Sequence, residues 1–350
     1  MGVWWLFAIY GATFVLYVVL PGRWVDGYVC DAHGRPLRYH LNGLLVFAVV
    51  VGGYVALAAT GVVAWDVFYV FRVEMLATAI GVGLVFTFAI VLPAPPTGKA
   101  LAADLFLGRY ENPQRGRVDA KMFLYLVGAV TLELLLLSFA AHHVLVFTWA
   151  GSHGIVVYTG LFSFFLVEYL WFERVHLYTY DFVAERVGFK LGWGCLAFYP
   201  FFYCVGAWFA AGVADPDPST LRLVAAIVVF FTGWSLARGA NLQKFRFKTR
   251  PEATHFGPFA QTAIGDGTRR VLVGGLWGLS RHINYLGEIL MASGLALALA
   301  HLGAWLYPLY YIGLLVPRQL DDDRRCAGKY GALWTEYQAR VPARIIPKIW

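Results

Sequence analysis

The sequence predicts an all-α integral membrane protein of about nine to ten transmembrane helices, without a Rossmann domain. Composition is the first observation, because 59% of the 350 residues are hydrophobic and only 14% are charged, whereas soluble domains carry about 25% charged residues. The second is that long apolar runs recur from one end of the chain to the other. The third is the lack of a Walker A motif and of a GxGxxG motif after a strand pattern.

The apolar runs define the expected spans, because roughly 18 apolar residues in a helix cross the hydrocarbon core of a bilayer. The first run lacks the basic start and the small-residue cleavage site of a signal peptide, so we expect it to be retained. A tenth span near Trp65 or Leu272 stays open. The nine runs are 3–20, 41–65, 67–92, 122–147, 155–172, 196–213, 221–236, 286–300 and 304–316.

Loop charges predict the orientation, since Lys and Arg in short loops stay on the cytoplasmic side. They concentrate in segments 99–121 and 238–270 and in the tail after Val316. Even numbers of spans separate these segments, so all three are expected to face the cytoplasm. The acidic, proline-rich loop 214–220 and the N-terminus are then expected outside. The expected membrane is the endoplasmic reticulum of a eukaryote or the inner membrane of a bacterium.

The net charge of +7 is accounted for by these loops. We therefore expect contact with membrane lipid and no nucleic-acid partner. The four cysteines form no CxxC pair and have no His at ligand spacing, so no metal site is expected. The chain is interpreted as one membrane domain. Its front half, residues 1–237, supplies helices and a pocket wall, and its back half, residues 238–350, carries the polar motifs.

The first polar motif lies at the cytoplasmic end of a predicted span. Lys244 and Lys248 are four residues apart, so their side chains share a face if the helix continues. Two cations on one face at a membrane surface can bind a phosphate group, and the 2′-phosphate of NADPH favours Lys or Arg.

The second polar motif, residues 272–288, combines glycines with flat and hydrogen-bonding side chains. Trp277 and Tyr285 offer faces for an adenine or nicotinamide ring, and Asn284 can both donate and accept. An interfacial aromatic belt is the alternative. Such a belt does not account for Arg281 and His282 in the same turn.

The third polar motif follows the last span. Arg318, Asp322 and Cys326 are spaced by four and would line one helical stripe leading to Tyr330. Asp322 could accept a hydrogen bond from a ribose hydroxyl, as acidic residues do in dinucleotide sites.

Several of these motifs together resemble the sterol reductase family, which includes delta-14 and 7-dehydrocholesterol reductases and the membrane domain of the lamin B receptor. The resemblance covers the chain from about residue 99 and is most specific at 275–288, at the RxxxDxxxCxxKYGxxWxxY arrangement of 318–337 and at the closing stretch 344–347. The stretch 108–113 is similar too. The family implies an NADPH pocket open to the cytoplasm and a sterol pocket within the bilayer. The implied cofactor-binding residues are Lys244, Lys248, Leu272, Trp277, Asn284, Tyr285, Asp322, Cys326, Tyr330 and Tyr337, with Arg281, Arg318 and Lys329 nearby.

The sequence also departs from the family pattern. Lys248 stands where Arg is usual, which keeps the charge but loses the two-pronged geometry of guanidinium. In the middle stretch, where substrate is expected, Cys195 replaces a usual Asp and Gly206 replaces a usual Gln. The substrate is therefore less firmly implied than the cofactor.

The implied reaction is NADPH-dependent reduction of a sterol carbon–carbon double bond, with delta-14 favoured. It needs a proton donor within the membrane, where polar groups are costly and commonly functional. Glu168 is the first candidate because it lies in an apolar span, and burial favours the neutral form of a carboxyl group. A structural hydrogen bond between helices is an equal alternative for it. Tyr203 and Asp181 are the other catalytic candidates, and Glu133 is a weaker one.

Three other functions stay open. The pattern 281–288 also resembles membrane methyltransferases that use S-adenosylmethionine. A different sterol double bond, at delta-7 or in the side chain, would need the same cofactor site. The protein could also bind sterol without catalysis.

Overall fold

Helices dominate the computed structural model, which describes residues 1–216 and 219–349. The chain forms two compact units, Met1–Pro216 and the remainder, and each is described by itself. The predicted multi-span helical membrane protein is confirmed in its coarse form. Six helical segments are long and apolar enough to cross a membrane: Gly2–Val19, Arg72–Val91, Ala120–Phe147, His153–Trp171, Phe189–Ala210 and Thr220–Thr249. Gly43–Ala59 and Ile283–Leu299 are shorter apolar helices.

The first unit is a helical bundle with short strands at its edges. Its helices are α1 (Gly2–Val19), α2 (Gly43–Ala59), α3 (Val67–Val70), α4 (Arg72–Val91), α5 (Leu101–Leu107), α6 (Ala120–Phe147), α7 (His153–Trp171), α8 (Glu173–His176), α9 (Tyr180–Val183), α10 (Tyr199–Phe202) and α11 (Val205–Ala210), with a π-helical segment at Phe189–Phe198. Its strands are β1 (Arg23–Cys30), β2 (Pro36–Leu41), β3 (Gln114–Arg115) and β4 (Val118–Asp119).

Helix α6 is the central element of this unit. It is largely apolar on all sides, as a helix enclosed by others must be. In its apolar 18-residue stretch, 83% is buried. Its first turn is capped by Asp119, whose carboxylate accepts a hydrogen bond from the Met122 amide at 2.9 Å. Helices α1, α2 and α7 all pack against α6.

Buried polar side chains fix the ends of the surrounding helices. Glu173 accepts from the amide of Gly43 at 3.1 Å and so caps the start of α2. Arg109 donates to the carbonyls of Val91 and Ala94 at 3.1 and 2.7 Å, at the end of α4. The stretch 108–113, which the sequence singled out, therefore has a structural role at this helix end.

The sequence did not predict the antiparallel hairpin β1–β2, in which Val25 pairs with Tyr39. It follows α1 directly and supplies its own backbone hydrogen bonds, so apolar periodicity gave no sign of it. Span bounds also differ from the predicted ones. Helix α2 ends at Ala59, and the run predicted from 196 begins at Phe189 with π-helical turns. The predicted outer loop 214–220 includes residues 217 and 218, which lie outside the described residues.

The second unit carries the polar motifs. Its helices are α12 (Thr220–Thr249), α13 (Ile283–Leu299), α14 (Leu306–Tyr330) and α15 (Ala332–Arg340), with 3-10 turns at Gly275–Gly278 and Leu302–Trp305. Its strands are β5 (His255–Phe256), β6 (Phe259–Ala260), β7 (Ala263–Gly265) and β8 (Arg270–Leu272). The last predicted span, 304–316, forms the first half of α14, which continues through the third polar motif.

Small residues let α12 and α13 approach closely. A Cβ atom added to Gly287 would lie 2.5 Å from the Gly233 carbonyl oxygen, and one added to Gly294 would lie 2.7 Å from the Phe230 amide. Close backbone approach at small residues is how helices associate in membranes, where apolar burial gives little driving force. The contact brings the end of α12, with the first polar motif, beside the start of α13, with the second.

Candidate functional site

The three polar motifs of the second unit converge around Trp277. The Lys244 ammonium lies 5.4 Å from the centre of the Trp277 ring, within the range of a cation–π contact. The Trp277 ring nitrogen donates to the carbonyl of Ala240 at 2.8 Å. The Tyr337 hydroxyl donates to the backbone carbonyl of Trp277, also at 2.8 Å. Residues almost a hundred positions apart in sequence therefore form one cluster.

The glycine-rich turn before Trp277 is fixed by a buried amide. Gln243 is fully buried, donates to the carbonyl of Gly274 at 3.2 Å and accepts from the amide of Leu276 at 3.0 Å. Gly275 has φ +67°, and a Cβ atom there would overlap the Gln243 amide. Glycine is thus required both by the backbone conformation and by the close approach.

A buried group of charges joins α13 to α14. A guanidinium nitrogen of Arg281 lies 3.4 Å from a carboxylate oxygen of Asp323, and the two side chains are only 5% and 12% exposed. The His282 ring lies between two carboxylates, with nitrogen–oxygen distances of 3.9 Å to Asp322 and 3.7 Å to Asp323. It also stacks on Tyr285 at 5.0 Å. Sequence reasoning missed Asp323, whose only signal was its position beside Asp322.

Burial alone would raise the pKa of Asp323. The neighbouring His282 ring and the positive charges of Arg281 and Arg344 outweigh burial, so the pKa lies below its ordinary value of 3.8. The carboxylate is therefore ionised at neutral pH and compensates the buried guanidinium.

The C-terminal stretch holds the second motif in place through backbone contacts. The amides of Arg281 and His282 donate to the carbonyls of Ala343 and Arg344 at 3.0 and 2.8 Å. The Ser280 hydroxyl donates to the carbonyl of Ile345 at 2.9 Å. The closing residues that carried the family resemblance thus position Arg281 and His282.

Helix α14 presents the third motif as predicted, on one continuous helix from Arg318 to Tyr330. Arg318, Asp322 and Cys326 are half-buried, whereas Lys329 is exposed. Burial is the main cause that raises the pKa of the Cys326 thiol to about 12, and the charge of Asp322 adds to it. The thiol is therefore protonated at neutral pH and is not a nucleophile.

The remaining predicted cofactor residues surround this centre. Helix α12 continues to Thr249, so Lys244 and Lys248 share a face as expected, and Lys248 is within electrostatic range of Lys329 and Asp322. Leu272 is buried at the end of β8. Tyr330 packs on the apolar cluster that includes Trp334 and Tyr337.

Some buried polar atoms in this cluster have no hydrogen-bond partner within the described part of the chain. They include Arg246 Nε, Arg281 Nε, Asn284 Oδ1 and Asp323 Oδ1. A buried unpaired polar group costs about 1–3 kcal/mol. Together with the neighbouring cations, the donors and acceptors fit a polar, anionic ligand with several hydrogen-bonding groups, as a dinucleotide is.

The three predicted catalytic residues lie in the first unit. Glu168 is on α7, one turn before its end, and is 7% exposed. The Tyr203 ring packs edge-on against Tyr199 at 4.7 Å, at the end of α10. Asp181 is the second residue of α9, and its backbone carbonyl accepts a hydrogen bond from the Lys121 ammonium at 2.9 Å.

Other carboxyl groups are buried in this unit, among them those of Glu133 and Glu173. Glu133 lies midway along α6 and accepts from the Ser163 hydroxyl at 2.7 Å, a contact that the sequence did not reveal. Glu173 and His176 line a cavity with room for about one water molecule, and burial raises the pKa of Glu173 to about 8. Within residues 1–216 and 219–349 no group of three or more His, Cys, Asp or Glu side chains could hold a metal ion.

Comparison with known proteins decides the family. Residues 1–350 match the ergosterol biosynthesis ERG4/ERG24 family. The chain belongs to this family. Relatives extend over almost the full length of the chain. It is 30% identical to the delta(14)-sterol reductase of Arabidopsis thaliana, with 95% of this chain and 91% of the relative covered. It is 32% identical to the delta(14)-sterol reductase TM7SF2 of Mus musculus (99% and 84% covered) and 30% identical to the delta(14)-sterol reductase of Methylotuvimicrobium alcaliphilum (99% and 84% covered). The resemblance inferred from the motifs is confirmed.

Proposed function

We propose that this protein reduces a carbon–carbon double bond of a sterol, most directly delta-14, with NADPH as the reductant. The observation that carries the proposal is the near full-length similarity to proteins named delta(14)-sterol reductase. The convergence of three cationic and aromatic motifs on Trp277 supports it independently. Neither observation depends on the other, because one comes from whole-chain similarity and the other from geometry.

In this proposal the second unit holds the cofactor. Lys244, Lys248 and Lys329 bind its phosphates, since compact ammonium groups are suited to phosphate oxygens. Trp277 offers a ring face beside Lys244, and Asp322 accepts from a ribose hydroxyl. NADPH, when bound, supplies a hydride to the substrate.

The first unit supplies the wall of the sterol pocket and the proton donor. Glu168 is the proposed donor: its O–H bond breaks, a C–H bond forms at carbon 15, and positive charge develops at carbon 14, where the hydride is accepted. The carboxylate left behind takes a proton from water. Glu168 lies in an apolar span, where polar side chains are costly and commonly functional.

The proposed topology has nine crossings with the N-terminus outside and the cofactor residues facing the cytoplasm. The six long segments, the two shorter apolar helices and the apolar first half of α14 would provide them. The membrane would be the endoplasmic reticulum in a eukaryote and the inner membrane in a bacterium.

A sterol panel tests the reaction. Membranes containing the protein are incubated with NADPH and sterols unsaturated at delta-14, at delta-7 or in the side chain, and the products are analysed by mass. A gain of two mass units on the delta-14 substrate alone is expected. Reduction of another sterol would move the proposal to that double bond, and reduction of none would overturn it.

Binding measurements test the proposed cofactor, and a substitution tests the proposed proton donor. The purified protein should bind NADPH and not S-adenosylmethionine; the reverse result would make it a methyltransferase. Glu168→Gln should abolish reduction with NADPH binding unchanged, because the amide is similar in shape but not an acid. Normal turnover by this variant would exclude Glu168 as the donor, and Tyr203→Phe would then be examined in the same assay.

A further inference from the structure

Helix α14 contains a fully buried glutamine. Gln319 is 0% exposed, and within the described part of the chain neither its amide nitrogen nor its amide oxygen is hydrogen-bonded. It continues the buried stripe of α14, which runs through Tyr311 and Leu315 at four-residue spacing. The side chain is therefore enclosed by protein and not exposed to lipid.

A second glutamine of the same unit shows how such a residue is usually accommodated. Gln243 is equally buried, yet its amide donates to the carbonyl of Gly274 and accepts from the amide of Leu276. Burying an amide without partners is costly, and an apolar side chain of similar size would fill the space at lower cost. Gln319 is therefore placed to bind something other than the protein.

Position along α14 indicates which part of a ligand reaches Gln319. The helix runs from its apolar start at Leu306 to the exposed Lys329. Gln319 lies one turn, about 6 Å, nearer the apolar end than Asp323, which contacts Arg281 and His282. Lys329, one of the cations proposed to bind phosphates, lies ten residues, about 15 Å, towards the other end. A ligand group at Gln319 is thus distant from Lys329 and nearer the apolar half of α14.

We propose that Gln319 binds the carboxamide of the nicotinamide ring and so sets the position of the reactive end of the cofactor. A primary amide is complementary to another primary amide, because each offers one donor and one acceptor in the same plane. The half-buried Asn284, whose amide oxygen is also unpartnered, is available at the start of α13 as a second contact. This inference rests on the proposed function, since it assumes a nicotinamide cofactor.

The test compares two ligands that differ at the nicotinamide end. NADP⁺ contains the carboxamide, whereas 2′,5′-ADP retains the 2′-phosphate and adenine but lacks the nicotinamide. Affinities of the purified full chain are measured for both, together with thermal unfolding without ligand. Gln319→Leu should bind NADP⁺ about tenfold more weakly, which corresponds to about 1.4 kcal/mol, and 2′,5′-ADP as tightly as the wild type.

Unfolding without ligand distinguishes a binding role from a structural one. Gln319→Leu and the volume-matched Gln319→Met should be as stable as the wild type or more so, because an unsatisfied amide is removed. Lys244→Met serves as the contrasting variant and should bind both ligands more weakly.

Other results would contradict either the role of Gln319 or the proposed cofactor. Unchanged NADP⁺ affinity in both Gln319 variants, or an equal loss for both ligands, would exclude contact with the carboxamide. A loss of stability in both variants would assign Gln319 a structural role. Failure of the wild type to bind either ligand would instead overturn the proposed cofactor, and with it this inference.

Discussion

Substituting Asp323 by Ala tests the buried ion pair that joins α13 to α14. The substitution leaves the Arg281 guanidinium, whose side chain is 5% exposed, without its carboxylate partner. It also removes one of the two carboxylates beside His282. Since a buried charge cannot recover its hydration in the folded state, the free energy of unfolding should fall.

The geometry of the ion pair determines how much the free energy of unfolding should fall. Removing one partner of a buried pair costs about 3–5 kcal/mol. The separation of 3.4 Å between Arg281 and Asp323 is longer than that of a well-formed charge-assisted bond, so we expect the lower end, about 3 kcal/mol. At about 2–4 °C per kcal/mol, the melting temperature should fall by about 6–12 °C.

Thermal unfolding in detergent without ligand measures this effect. A double-mutant cycle with Arg281→Met and Asp323→Leu isolates the pair, and the double variant should recover much of the stability because two apolar side chains replace two charges. Lowering the pH should also reduce the free energy of unfolding. Because the pKa of Asp323 is lowered on folding, its contribution is complete above its ordinary value of 3.8 and is lost as the pH falls below it.

Two results would refute this reasoning. The first is a free energy of unfolding of Asp323→Ala within about 0.5 kcal/mol of that of the wild type, as surface substitutions commonly give. The cycle could also show the two substitutions to be additive, which would mean that Arg281 and Asp323 do not interact energetically.

Three further predictions concern other parts of the chain. Because the pKa of Glu173 is raised to about 8, the folded state binds its proton more tightly, so stability should decrease as the pH rises from 4.5 to 8; Glu173→Gln should flatten that part of the pH–stability curve, and an unchanged curve would contradict the assignment. Gly287→Leu should prevent close packing of α12 against α13 and abolish the folded protein in size-exclusion chromatography, whereas Gly313→Leu, where an added Cβ meets nothing within 4 Å, should be tolerated. Alkylation at pH 8 should label the exposed Cys30 and spare Cys326, whose thiol has a pKa of about 12; mass spectrometry showing rapid modification of Cys326 would disprove its burial.

Much of the candidate site was predictable because its motifs are local. The four-residue spacing of Lys244 and Lys248 needed only a continuous helix, and α12 extends to Thr249. The same holds for Arg318, Asp322 and Cys326 on α14. Spacing along one helix is a property of the sequence alone.

Contacts between elements were not predictable in this way. The pairing of Asp323 with Arg281 depends on how α13 and α14 pack, and nothing in the sequence favoured Asp323 over its neighbour Asp322. Gln319 and Gln243 look alike in sequence, yet among the described residues only Gln243 has hydrogen-bond partners. The hairpin β1–β2 was missed because apolar runs report helices in lipid and not short strands outside it.

The sequence by itself determined that the chain is a multi-span helical membrane protein with three cationic and aromatic motifs, since apolar run length and residue spacing are one-dimensional properties. Only the tertiary structure decided that these motifs meet at Trp277, and which buried polar groups there are paired. The physical reason is that pairing of buried charges and amides depends on distances of a few ångströms between elements. Those distances are set by side-chain packing, such as the glycine contacts of α12 with α13, and not by order along the chain.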